Sequence, residues 1–284
     1  MAQSKQQIQS ILASVGGKPR RRFGQNFMID QNLVRIVADA GIIHPRDIVI
    51  EIGPGTGTLT EELLSRAGRV IAVEIDRDLT TALRDRFGSE ANFELIEGDA
   101  LDGKHALHPT LAATLTAAAN DPHSVKLVAN LPYNIASPLI VELLLAGVDL
   151  LAFTVQREVA DRMRAGAGEE AYGPLSVITQ LLGQVEVLRT LPPTAFWPAP
   201  NVDSALVRIR RQAQPPCDPA EARRFSRFVH DLFSYRRKTL RRALVEAGCH
   251  AEEVLQQTGF DGALRPEVFT PPQLLSMFRA ARRR

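Results

Sequence analysis

Ile48-Val49-Ile50-Glu51-Ile52-Gly53-Pro54-Gly55-Thr56-Gly57-Thr58-Leu59-Thr60 decides the fold. The apolar run Ile48 to Ile52 reads as a strand, three glycines follow within five positions, and Thr58-Leu59-Thr60 opens a helix. A strand, a glycine turn and a helix let backbone approach a nucleotide-like ligand closely, because glycine has no Cβ to hold the ligand off. A dinucleotide fingerprint needs glycine at the sixth position counted from Gly53, and that position is Thr58. The pattern present is Glu-x-Gly-x-Gly-x-Gly.

Further strands follow at regular intervals. Val70 to Glu74 ends in a carboxylate 17 residues past Gly57. An acid there is placed to accept from both hydroxyls of a ribose. Glu74 and Asp76 are both candidates, and Glu74 is preferred because it lies at the strand end. Phe93 to Glu97 runs into Gly98-Asp99-Ala100, where Asp99 can accept from the amino group of an adenine. Lys126 to Ala129, Leu150 to Val155, Val185 to Leu191 and Val202 to Arg211 complete seven expected strands. Between them lie a helix from Gln31 to about Ala40 capped by Asp30, another over Pro138 to Ala146, and helices beginning near Gln156 and Tyr172. This alternation predicts an α/β fold with a mostly parallel sheet and helices on both faces. Residues 103–123, rich in Ala and Thr, read as a peripheral helix without chemical pattern. Beyond Pro215-Pro216 the expected segments are all helical: Ala220 to Phe233, Arg236 to Ala247 and Ala251 to Thr258. The expected organisation is a basic arm over 1–22, a large domain over 23–211 and a small all-α domain over 212–284.

Asn130-Leu131-Pro132-Tyr133 follows the Lys126 to Ala129 strand, at a carboxyl end where open α/β sheets place ligands. Pro132 fixes φ and removes a donor, which makes the turn rigid. A side-chain amide, freed carbonyls and an aromatic ring are thereby held together, a set suited to an exocyclic amine on a flat base. The Asn130 oxygen and the Leu131 carbonyl can accept its two N–H bonds and draw the nitrogen toward tetrahedral geometry. Tyr133 can stack on the base, a contact of roughly 1–3 kcal/mol. The same string also suits an ordinary loop turn. Pro192 to Pro200 is too proline-rich for a helix and presents Phe196 and Trp197. Phe196 is expected to face the base from its other side, and Trp197 is left without a role.

The chain has 284 residues, 45% of them hydrophobic, enough for one large domain and a small one. No apolar run is long enough for a membrane span and no signal peptide is legible, so a cytoplasmic location is expected. Cys217 and Cys249 fit neither a disulfide framework nor a metal site. Net charge is +2, but residues 205–284 hold 16 Lys and Arg against 8 Asp and Glu. The densest cluster is Arg236-Arg237-Lys238-Thr239-Leu240-Arg241-Arg242 beside Tyr235, as a phosphate-binding surface would have; a solvated basic face explains the charge equally well. Lys18-Pro19-Arg20-Arg21-Arg22 fits RNA contact or solubility.

The glycine loop resembles the S-adenosylmethionine loop of class I methyltransferases. Taken with Phe23 to Asp30, Val73 to Asp76, Glu97 to Ala100, Asn130 to Leu139 and Phe196 to Ser204, the chain resembles the ribosomal RNA adenine dimethyltransferases, the bacterial 16S type above all. The resemblance implies a class I, Rossmann-like fold with a seven-stranded sheet. It also implies N6,N6-dimethylation of two adjacent adenosines in the loop of the 3′-terminal helix of 16S rRNA, in the immature 30S subunit. S-adenosylmethionine would be held by Asn26, Met28 through its backbone, Gly53, Gly55, Gly57, Glu74, Asp99 and Asn130. Leu131, Pro132, Tyr133 and Phe196 would surround the base, while Arg236, Arg237, Lys238, Arg241 and Arg242 would meet RNA. The family usually has leucine where Met28 stands. No metal and no protein partner are implied, and a monomer is expected. The resistance-type large-subunit dimethylase, a DNA adenine methylase and a non-catalytic assembly factor are the competing readings.

Overall fold

The computed structural model describes residues 3–103, 106–118 and 124–281. The chain divides into two compact units, one holding residues up to 160 with Glu186–Arg211, the other Asp161–Val185 with residues from Gln212 on. The nine strands among the described residues are β1 (Phe27–Met28), β2 (Ile48–Ile52), β3 (Arg69–Glu74), β4 (Phe93–Glu97), β5 (Val125–Asn130), β6 (Leu150–Gln156), β7 (Gly183–Leu191), β8 (Phe196–Trp197) and β9 (Ser204–Arg211).

Seven of them form one sheet in the order β4-β3-β2-β5-β6-β9-β7. The pairs β2/β3, β3/β4, β2/β5 and β5/β6 are parallel, and β9 runs antiparallel to β6. Helices on both faces of a parallel sheet exclude water from its strands, and β2 is accordingly buried at every position. From β2 the chain first builds outward through β3 and β4, then returns to place β5 on the other side. The glycine turn after β2 and the Asn130 turn after β5 therefore leave neighbouring strands at a topological switch point. That crevice is where such sheets bind ligands.

Local chemistry sets the helix starts. Asp30 accepts from the Asn32 and Leu33 amides and opens the helix Gln31–Ala40; Asp76 does the same through Asp78 for Arg77–Phe87. Gly57 caps Thr58–Leu64 with φ +80°, and a Cβ there would lie 2.4 Å from the Phe87 ring. Helix Pro109–Ala118 lies within the stretch expected to be peripheral; residues 104, 105 and 119–123 of that stretch lie outside the described residues.

Two features of this unit depart from the expectation. Lys5–Ser14, within the stretch expected to be a basic arm, is a helix, with a Ser4/Gln7 capping box and with Ile8 and Leu12 buried against Phe27 and Leu79. Two apolar residues four apart suffice for one buried stripe, which the interspersed Gln and Ser residues hide. The proline-rich stretch contributes β8, which pairs antiparallel with β1 in a second, two-stranded sheet (Phe27 opposite Trp197, Met28 opposite Phe196).

The second unit is helical. Helices Pro174–Leu182, Pro219–Ser234, Leu240–Glu246, Ala251–Thr258 and Pro271–Ala281 surround the rings of Phe225, Phe228 and Phe278. Residues 161–185 join this unit, ahead of the boundary expected at 212, because Pro174–Leu182 packs against Pro219–Ser234 and Pro271–Ala281. The Tyr172 hydroxyl donates to the Phe269 carbonyl at 2.9 Å. Thr239 caps the helix expected from Arg236, which moves its start to Leu240 and leaves Tyr235 to Lys238 as a turn. Among the described residues no helix is long and apolar enough to cross a membrane.

A buried ion pair ties the foot of the sheet: Lys126 Nζ lies 2.6 Å from Asp47 Oδ2, both side chains less than a tenth exposed. Removing one member strands the other charge away from water. Lys126→Met should destabilise the protein by ~3–5 kcal/mol in urea unfolding, and Lys126→Met with Asp47→Asn should recover most of that loss.

Candidate active site

A single concave site gathers most of the residues selected from sequence. Its wall comprises Phe23 to Met28, Glu51 to Thr56, Thr58, Leu59, Val73 to Ile75, Gly98 to Ala100, Asn130, Pro132, Asn134 and Ile135. Asn26, Met28, Gly53, Gly55, Glu74, Asp99, Asn130 and Pro132 thus meet in one place, all within the first unit. Gly57 does not line it; its role is to start the helix behind the loop.

The glycine loop is shaped by its neighbours. Gly53, Gly55 and Gly57 have φ of +69°, +62° and +80°, a region any Cβ makes costly. A Cβ on Gly55 would come within 2.9 Å of the Phe27 ring, and one on Gly53 within 3.2 Å of Pro132. The Gly55 amide donates to one Glu74 oxygen at 3.1 Å and the Asp76 amide to the other at 2.9 Å. Each oxygen keeps a lone pair for a ligand hydroxyl. Burial raises the Glu74 carboxyl above its usual range, and these two amide bonds oppose that. Asp76 is occupied elsewhere, capping its helix and bonding Arg20 and Gln25. Asp99 accepts from the Leu101 amide at 3.0 Å through one oxygen.

Asn130 is held at both ends of its amide. Its Nδ2 donates to the Asn26 carbonyl at 2.7 Å, and its Oδ1 accepts from the Thr154 hydroxyl. Thr154 is its register partner on the parallel strand β6 and is fully buried. The amide is therefore fixed before any ligand arrives, with one Oδ1 lone pair left over. Tyr133 is half-buried, and its hydroxyl lies 2.6 Å from Ser204 Oγ, which fixes the ring. Burial raises its pKa, against the effect of that bond. The Leu131 side chain is buried, which leaves only its backbone for the site.

Phe196 is elsewhere. Its ring is 2% exposed, in the core cluster with Met28, Leu33, Val34 and Leu206, and in this arrangement offers no face to a base. The β1/β8 pairing sets it behind Met28. Trp197 stacks on Phe27 at 6.4 Å and so backs the ring that supports Gly55.

Three side chains escaped the sequence reading. Thr154 could be found only from strand register. Ile75 is 40% exposed on the wall, an apolar surface for a flat ring, and its place between two acids was a usable signal. Glu51 is buried and lines the site; it accepts from Thr60 Oγ1 at 2.6 Å. Desolvation pushes its pKa to about 8, and the charge of Glu74 adds to the rise.

In the second unit the five cations expected to meet RNA differ in availability. Arg236 is paired with Glu267, Arg241 with Glu252 and Arg242 with Glu246, while Arg237 and Lys238 are exposed on the turn. Among the described residues no cluster of His, Cys, Asp and Glu is placed to hold a metal ion.

The profile of the family described as Ribosomal RNA adenine dimethylase matches residues 16–281. This chain belongs to that family. Ribosomal RNA small subunit methyltransferase A of Magnetococcus marinus is 42% identical to it over 274 residues, covering 95% of this chain and 94% of that protein. The protein of the same name from Deinococcus radiodurans is 40% identical, covering 96% and 88%. The crystal structure of the 23S rRNA methyltransferase ErmE superposes with TM-score 0.63 at 26% identity, over 90% of this chain and 99% of that one. A dimethyladenosine transferase from Plasmodium falciparum shares the fold, with TM-score 0.68 at 24% identity over 88% and 95%. The fold is that of class I methyltransferases, and the chain is an rRNA adenine dimethyltransferase. Methyltransferases of this kind use S-adenosylmethionine. A close-packed glycine loop, a buried carboxylate with free lone pairs and an exposed Ile75 fit such a cofactor.

Two outcomes follow from the buried polar groups. Unfolded, Glu51 ionises near 4.5; folded, it keeps its proton to about 8, so its contribution to stability falls as pH rises between those values. Glu51→Gln should melt above wild type by a margin that widens from pH 5 to pH 8 in thermal scans. Thr154→Val keeps the shape of the side chain but releases the Oδ1 end of the Asn130 amide, leaving Nδ2 on the Asn26 carbonyl, and steady-state kinetics should show kcat lowered about tenfold with little change in cofactor KM.

Proposed function

We propose that this chain dimethylates N6 of two adjacent adenosines in the loop of the 3′-terminal helix of 16S rRNA. The substrate is the immature 30S subunit late in its biogenesis, and the enzyme acts as a cytoplasmic monomer. The observation that carries the chemistry is the doubly anchored Asn130 amide on the wall of the glycine-loop pocket. The choice of subunit is supported by the small-subunit names of relatives at about 40% identity. The 26% likeness to a 23S rRNA methyltransferase makes the large subunit the second reading.

S-adenosylmethionine supplies an electrophilic methyl group when bound. Asn26, the backbone at Met28, Gly53, Gly55, Glu74, Asp99 and Asn130 hold it. Glu74 takes the ribose hydroxyls, Asp99 the adenine amino group, and Ile75 gives the adenine an apolar face. The target adenine leaves its stack to enter. Tyr133, braced by Ser204, stacks on the base, while Asn130 Oδ1 and the Leu131 carbonyl accept from its amine. Those bonds localise the nitrogen lone pair, which is otherwise drawn into the ring. Positioning supplies most of the rate, since effective molarity is worth ~7–11 kcal/mol. The alkylated nitrogen is acidic enough to shed its proton to water, so no strong base is required. Pro132 keeps the turn rigid, and Phe196 serves by packing behind Met28 rather than against the base. Arg237 and Lys238 meet RNA phosphate directly; Arg236, Arg241 and Arg242 do so by exchanging a carboxylate for a phosphate.

Methyl transfer from labelled S-adenosylmethionine to unmethylated 30S subunits, 50S subunits and duplex DNA, followed by digestion to nucleosides, tests this reading. Dimethyladenosine from 30S alone is expected. Label in 50S would move the assignment to the large subunit, and label in DNA would end the RNA reading. No transfer with cofactor still bound would indicate an assembly factor. Asn130→Ala should reduce transfer at least ~1,000-fold while leaving 30S binding intact in a filter assay.

A further inference from the structure

Gln3 is a polar side chain with 4% exposure, and among the described residues its side-chain bonds run to Thr56 and Thr58 of the glycine loop. Its Nε2 donates to the Thr56 carbonyl at 2.9 Å; its Oε1 accepts from Thr56 Oγ1 at 2.6 Å and from Thr58 Oγ1 at 3.0 Å. Thr56 and Thr58 line the pocket and flank Gly57, whose left-handed conformation sets the turn. The Thr56 carbonyl takes a second bond at 2.9 Å from Arg86 Nη1. One amide thus holds the last residue of the loop before Gly57 and the first of the helix after it.

The helix that follows Gln3 adds a second hold. Ile8 and Leu12 bury against Phe27, the ring on which Gly55 rests, and Lys5 Nζ lies 5.8 Å over Trp197, stacked on the far side of Phe27. A ten-residue helix is marginal alone, so this one persists through that packing. Further along, Arg20 Nη1 meets Asp76 at 2.6 Å and Nη2 meets Asp78, while Gln25 bridges the Arg20 amide and Asp76. The Asp76 amide in turn donates to Glu74. The N-terminal segment therefore reaches the glycine loop directly and Glu74 through Asp76.

We infer that residues 3–25 are a working part of the cofactor site, with Gln3 as the positioning residue that sets the glycine loop. This rests on the reading that the pocket takes S-adenosylmethionine. Gln3 reaches no reacting atom; it acts by fixing the Thr56 carbonyl and the Thr56 and Thr58 hydroxyls, and with them the curl of the loop that the ligand meets. Arg20 acts from the opposite wall by fixing Asp76, and through it Glu74.

Full-length Gln3→Met, Gln3→Glu and Arg20→Met separate this role from plain packing. Gln3→Met preserves length and loses all three bonds, whereas Gln3→Glu in its neutral, protonated form keeps the two it accepts and donates its O–H to the Thr56 carbonyl. S-adenosylmethionine affinity by calorimetry should weaken about tenfold in Gln3→Met and recover at least half of that, on a logarithmic scale, in Gln3→Glu. Arg20→Met should weaken it two- to threefold. For every variant kcat at saturating cofactor should match wild type, so the loss lies in KM. Unchanged affinity in Gln3→Met, with wild type binding normally, overturns the inference. So does a loss in Gln3→Met that tracks a fall in cofactor-free melting temperature and is not recovered by Gln3→Glu. Wild type that fails to bind S-adenosylmethionine would instead sink the cofactor reading.

Discussion

The hydrogen bond from the Gly55 amide to the Glu74 carboxylate joins the two strand ends that everything else is built around. It requires the glycine loop to curl toward β3, which only left-handed backbone permits, and it requires a carboxylate to remain in a place with almost no water. Neither is favourable by itself. Burial raises the pKa of Glu74, and the amides of Gly55 and Asp76 are what return part of that loss. A carboxylate tied by two backbone amides is both fixed and still able to accept more.

The same device recurs around the pocket, where polar groups are immobilised by partners one layer out. Asn130 has Thr154 and Asn26; Tyr133 has Ser204; Glu51 has Thr60. In each case the outer partner lies on another element of the first unit. Catalysis by positioning needs this, because a side chain free to rotate gives up the advantage of being placed. Thr154, Ser204 and Thr60 lie behind the pocket wall and hold in place the groups in front of them.

Much of this was legible in the sequence, and the limits were physical. The parallel strands announce themselves as apolar runs because both faces are covered, and the acids at their ends fall at spacings the βαβ repeat imposes. Glu74 could be preferred to Asp76 from its place at a strand end, and Asp76 proves to be spent on a helix cap and Arg20. What failed to show was anything that depends on pairing between distant segments. Thr154 matters only because β6 lies beside β5 in one register. Phe196 looked like a free aromatic on a proline-rich loop, yet it is buried because β8 pairs with β1. The helix at Lys5–Ser14 was hidden by its polar composition, and Thr239 shifted a helix start that charge density had obscured.

Each glycine of the loop is matched to one bulky neighbour in a different segment: Gly53 to Pro132, Gly55 to Phe27, Gly57 to Phe87. None of these three contacts is interchangeable, since each glycine meets a different segment of the chain. The loop is in effect cast in a mould whose three parts come from the turn after β5, the strand β1 and the helix after β3. Across relatives, positions 27, 87 and 132 should therefore covary with the shape of the loop, and a lineage that replaced one of the rings by a smaller side chain would gain room for a Cβ at that glycine alone. Such a change would relax the shape of the loop at that glycine and leave the other two contacts in place.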